Sequence, residues 1–181
     1  MSDGLIERQA LILAAVQARL DAVDAPVCRA FLAPGAQVPW DTCCECRDGG
    51  EGQAWVVVDR FYPADGLAQD VSAQRCHPSG YAADLTVGVL RCAHTVDDRG
   101  EAPSAATVTA DAGKVARDRQ AVRDALLCDV LGPDADPGTF RLGVWQPLGP
   151  SGGCVGGSWQ ATIAVPACRC VPLPDPEPVG L

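Results

Sequence analysis

Ten cysteines, Cys28, Cys43, Cys44, Cys46, Cys76, Cys92, Cys128, Cys154, Cys168 and Cys170, carry the most reactive side chains of this 181-residue chain. Two tight groups stand out: Cys43-Cys44-Glu45-Cys46 and, far downstream, Cys168-Arg169-Cys170. If the groups meet at one end of a fold, four thiolates could hold zinc tetrahedrally, with His77 or His94 replacing one of them. The downstream group, Cys168-Arg169-Cys170, is spaced C-x-C, a weaker zinc signal than a C-x2-C pair. Three states are open: disulfides, some of them linking the C-terminal segment to the Cys43 loop; buried free thiols; and a zinc site. The spacing ranks them in that order and fixes no pairing. Cys76 beside His77, and Cys92 near His94, invite a nucleophile-and-base reading. Sequence neighbours on a strand point to opposite faces, so adjacency is no evidence for a dyad. No catalytic residue is assigned.

The glycine-rich run GPSGGCVGG invites a phosphate-binding reading. A P-loop needs a Lys after the last glycine and a helix following it. Here no Lys follows, and the next residues read as a strand. The run is expected to be a flexible hairpin tip, with Gly152, Gly153, Gly156 and Gly157 as interface candidates. Among Trp40, Trp55, Trp145 and Trp159, the core is expected to hold Trp55 and Trp159, and Trp145 is a candidate for a subunit seam. Each indole removes a large apolar area from water while its N–H seeks an acceptor.

The elements that must position these groups follow from periodicity. Leu5, Ile12, Val16, Leu20 and Val23 make one helical stripe, capped by Ser2 or Asp3 and stopped before Pro26. Val27 to Leu32 predicts a short strand, and Ala54 to Tyr62 a strong β run rich in β-branched and aromatic residues. Tyr81 to Cys92 alternates, with Leu85, Val87 and Val89 opposite Thr86, Gly88 and Leu90. A second helix is predicted from about Ala110 to Leu131. Thr109 would be its N-cap, Val115, Val122, Leu126 and Val130 its buried stripe, and Gly132-Pro133 its stop. Asp118, Arg119, Arg123 and Asp124 fall mainly off that stripe, on a solvated or subunit-contact face. From Phe140 to Cys170 two runs flank the glycine-rich connection as a long hairpin. Phe140, Leu142 and Val144 share one face, and Arg141, Gly143 and Trp145 the other. In the second run Trp159, Ala161, Ile163 and Val165 lie opposite Ser158, Gln160, Thr162 and Ala164. Residues 1–170 thus read as one α+β domain: an antiparallel sheet of about four to six strands with two helices on one face. Residues 171–181, with four prolines at alternating positions, read as an extended arm.

Composition narrows the function. Hydrophobic residues at 48% and charged residues at 20% suit a globular core. The net charge of −9 argues against a sequence-reading nucleic-acid binder, which neutralises phosphates with Lys and Arg. The N-terminus lacks the basic n-region of a secretory signal, and no run reaches the ~18 apolar residues of a membrane span. A soluble protein made in a cytoplasm is expected. Ten cysteines sit uneasily there, unless disulfides form after release.

The phrases VPWDTCCECRDGGEGQAWVVV and WQPLGPSGGCVGGSWQATIAV resemble the tail terminator (head–tail connector) proteins of long-tailed phages infecting high-GC actinobacteria. The resemblance covers Gly4 to Cys170, and the order of helices and strands is similar to that of lambda-type tail terminators. It implies a structural virion protein that forms a ring, a hexamer in the family, capping the tail tube and joining it to the head. Implied partners are copies of itself, the major tail tube protein and the head–tail connector or stopper protein. Genomic DNA would pass through an acidic lumen without sequence-specific binding. The glycine-rich tip would order against a neighbouring ring. No enzyme activity, cofactor, metal or membrane is implied, and assembly would take place in the bacterial host cytoplasm. Two alternatives remain: another neck, head-completion or minor tail protein, and, from a different class, a cysteine-rich zinc-binding or redox module.

Overall fold

The structure is a computed structural model, and it describes residues 4–35, 43, 51–64, 67, 80–96, 99–131 and 138–165. Helix α1 spans Gly4–Ala22, strand β1 Arg29–Ala33, β2 Gln53–Pro63 and β3 Tyr81–Cys92. Helix α2 spans Ala105–Asp124 and continues into a π-helical turn, Ala125–Val130. Strands β4, Phe140–Ser151, and β5, Cys154–Val165, complete the described chain. The strand order is β1-β2-β3-β5-β4. Four strands are antiparallel as expected; β1 joins the edge parallel to β2, so the sheet is mixed.

Alternation decides which side is buried. Ala83, Leu85, Val87 and Val89 of β3, with Ala54 and Val56 of β2 and Ala161 and Ile163 of β5, form one apolar face. Ile12, Val16 and Leu20 of α1 and Val122 and Leu126 of α2 cover it, so both helices lie on one side of the sheet. These are the stripes that the 3.6 and 2 periods of the sequence require.

Helix boundaries differ from the periodicity in instructive ways. Asp24 adopts a left-handed φ of 50°, and the Ala25 and Asp24 N–H groups donate to the carbonyls of Leu20 and Asp21. This Schellman arrangement stops α1 at Ala22, before Pro26 acts. Val23, expected in the buried stripe, therefore lies beyond the helix and is 39% exposed. At the start of α2, Ser104 rather than Thr109 is the N-cap: its Oγ accepts from the Thr107 N–H at 3.1 Å. The Thr109 hydroxyl instead donates to the Ala105 carbonyl at 2.7 Å, satisfying itself within the helix.

The hairpin is tighter than its glycines suggest. Its strands run on to Ser151 and Cys154, and only Gly152 and Gly153 form the turn, with φ of 57° and 74°. Two successive left-handed residues match the twist of the flanking strands, a conformation glycine adopts freely. A register shift between Leu142 and Trp145 reverses the alternation of β4. Trp145 therefore sits on the helix-bearing face, opposite the side expected from simple alternation, against Trp159 at 5.7 Å between ring centroids.

Candidate functional site

Cys43 is disulfide-bonded to Cys154, with 6.0 Å between the Cα atoms and 111 residues between them in sequence. Both residues are fully buried in a second apolar cluster, with Trp55, Val57 and Leu90, on the sheet face away from the helices. Within the Cys43 loop, Cys43 itself pairs with the cysteine at the hairpin tip, and the expected links from that loop to Cys168 and Cys170 fall outside the described residues. A disulfide sulfur offers no thiolate, so Cys43 in this state is not a zinc ligand. Cys28 and Cys92 are also disulfide-bonded, and Cys128 is free and exposed. Cys44, Cys46, Cys168 and Cys170 lie outside the described residues, as do Cys76, His77, Trp40 and the 171–181 arm. Among the described residues, no group of three or more His, Cys, Asp or Glu is placed to hold a metal ion.

The candidate interface glycines divide into two kinds. Gly152 and Gly153 make the turn at the tip, whereas Gly156 and Gly157 are buried strand residues rather than parts of a loop. A Cβ on Gly156 would lie 2.0 Å from the Val89 carbonyl oxygen, and one on Gly157 would lie 2.2 Å from the Trp145 ring. Their missing side chains let strand and indole approach within the subunit. Trp145 is half-buried over that glycine. Trp55 is 2% exposed, as expected of a core residue. Trp159 is half-buried, and its Nε1 donates to the Arg119 carbonyl at 3.0 Å, tying β5 to α2.

The most heavily bonded charged group escaped the helical-stripe reading. Asp118, expected on the outer side of α2, is buried and paired with Arg91 of β3, through Nε at 2.7 Å and Nη2 at 3.0 Å. Arg91 Nη2 also donates to the Ala25 carbonyl at 2.6 Å, and Nη1 donates to those of Pro26 and Glu51. One guanidinium thus joins the end of α1, the entry to β2, β3 and α2. Its planar fork saturates five acceptor contacts, which makes burial of the charge tolerable. An arginine at the end of an otherwise apolar run, Leu85-Val87-Val89-Arg91, is the sequence signal that could have found it.

Beyond the disulfide, the same open face of the sheet is a polar groove of about 570 Å³. Asp84 is its fixed centre. Its carboxylate accepts from Arg60 at 2.7 and 2.9 Å, Thr162 at 2.9 Å and Tyr62 at 3.2 Å. Partial burial pushes the Asp84 carboxyl up, but the Arg60 charge and these hydrogen bonds outweigh it and hold it below the usual carboxylate range. Asp59 accepts from the Thr86 hydroxyl at 2.6 Å, and Arg141 and Gln160 complete the walls.

A second recess, about 480 Å³ and largely apolar, lies between the hairpin tip and the start of α2, where Val96 and Val108 are exposed. On its wall the Asp111 carboxylate accepts from the His94 backbone N–H at 3.0 Å and faces the ring Nδ1 at 3.0 Å. Burial pushes this carboxyl up; the contacts with His94 and the charge of Lys114 more than reverse that. The arrangement ties the exit of β3 to α2.

Together these features define an α+β protein with a helix-covered sheet face and an open, partly polar one. No family model matches the chain, and no curated protein matches it.

Proposed function

We propose that the chain is a structural subunit of a phage virion, a tail terminator that forms a ring, of six copies by analogy with the family it resembles, at the head-proximal end of the tail tube. The observation that carries this reading is the meeting of the two sequence phrases behind the resemblance. Cys43 of the first is bonded to Cys154 of the second, and β2 from the first shares one sheet with the β4–β5 hairpin from the second. Function then comes from shape and repeated contact, with head-to-tail interfaces that close by rotation. Its partners are the major tail tube protein on one side and the head–tail connector or stopper on the other. Genomic DNA passes through a lumen that the net charge of −9 per subunit keeps from adhering. Subunits are made in the reducing host cytoplasm, and the buried Cys43–Cys154 bond is completed after release in the virion. No catalytic step or cofactor is needed.

Electron microscopy of the purified chain tests this reading: rings of uniform size are expected. A protein monomeric at every concentration that turns over a small molecule overturns it. A phage lacking the protein should make tails of irregular, excessive length. Tails of correct length that stay unattached would instead make it another neck or head-completion protein.

A further inference from the structure

We infer that the open polar face of the sheet is a contact surface for a second copy of this chain, related by a two-fold axis parallel to the strands. The registers place Arg60, Asp84, Thr162 and Arg141 in one row across β2, β3, β5 and β4, with Asp59 beside Arg60 at the bulge of β2. The two rims of this row differ. On the β2 rim Arg60 is already neutralised by Asp84, and among the described residues the Asp59 carboxylate has the Thr86 hydroxyl and no cation. On the β4 rim Arg141 is exposed and has no ion-pair partner among the described residues. Among the described residues the face therefore carries one unneutralised anion and one unneutralised cation, three strand spacings or about 14 Å apart.

A two-fold axis running between β3 and β5 exchanges these rims. It brings Arg141 of each copy to the side of the interface that carries Asp59 of the other. The Gln160 amide, both donor and acceptor, lies near the axis and meets its own copy. Asp84 also approaches its copy, but it is screened by Arg60 and set back into the groove. The charge pattern is thus complementary to itself, which is what an isologous interface requires. An isologous two-fold contact differs in kind from the head-to-tail contacts of a ring, so it does not rest on the ring reading; where both form, two rings stack face to face.

Sedimentation equilibrium of the full chain with its disulfides intact tests the contact. A reversible dimer, or pairs of rings where rings form, is expected. Arg141→Asp and Asp59→Arg should each weaken pairing by about tenfold or more, through like-charge juxtaposition. The double variant, Asp59→Arg with Arg141→Asp, should restore it to within about threefold, because the pairs re-form with reversed sign. If a charge reversal unfolds the chain, Arg141→Gln and Asp59→Asn replace it, each expected to weaken pairing. A wild type that never pairs, or single and double variants that pair equally well, overturns the inference. Unpaired rings would overturn it while leaving the ring reading in place.

Discussion

The two faces of the sheet come from the same strands and obey opposite rules. On the helix side, alternate residues are apolar, and the one charged group of β3 that enters, Arg91, is saturated by Asp118 and three carbonyls. On the other side, half the surface is sealed by Trp55, Leu90 and the Cys43–Cys154 bond, and half is a polar groove where Asp59 and Arg141 lack ionic partners among the described residues. The contrast separates two uses of polarity. Buried and fully paired, it joins elements that are distant in sequence. Open and incompletely paired, it leaves a surface ready for another molecule.

The comparison breaks first at Arg91. Asp118→Ala leaves a buried guanidinium without its counter-charge and should cost about 3–5 kcal/mol, read as a lower urea midpoint. Replacing Arg91 and Asp118 together with Met and Leu should recover most of that loss, since both charges then disappear. Removing the disulfide with Cys43→Ser and Cys154→Ser tests the sealed half of the open face. A loss of about 2–4 kcal/mol is expected, because the bond closes a long loop in the unfolded chain. The double serine variant should keep the helical far-UV signal while Trp55 fluorescence shifts towards that of solvated indole.

Gly156→Ala should cost about 1–3 kcal/mol in thermal or urea unfolding, since the added methyl meets a backbone carbonyl that has nowhere to move. Gly153→Ala meets no neighbouring atom and carries only the strain of its positive φ, about 1 kcal/mol. The smallest effect belongs to the groove: Asp84→Asn should cost about 0.2–1 kcal/mol at neutral pH, as for a partly exposed pair. Its signature is in acid. The folded Asp84 carboxyl titrates below its unfolded value, so its contribution is complete above about pH 4 and fades as pH falls through the lowered folded value. Melting curves at successive pH values should show a shallower acid limb in the Asn variant. Asp129, held low by the hydrogen bonds and charge of Arg19, titrates in the same direction, so the limb should flatten without vanishing.

How much of this was legible beforehand depends on the range of the interaction. The order of helices and strands, the bounds of β3 and the buried stripe through Val122 and Leu126 were all readable. Period and propensity act between near neighbours in the chain. The choice of Ser104 over Thr109 as cap was a local matter too, but both are good caps, and only the hydrogen bond at Thr107 distinguishes them.

By itself the sequence determined an α+β domain with both helices on one side of the sheet, because apolar residues at periods of 3.6 and 2 have only one way to leave water together. Only the tertiary structure decided that Cys43 meets Cys154, that Trp145 changes sides at a bulge, and that Asp118 is buried. Each of these depends on residues brought together from distant parts of the chain. Spacing along a polypeptide carries no record of such meetings until the core has closed around them.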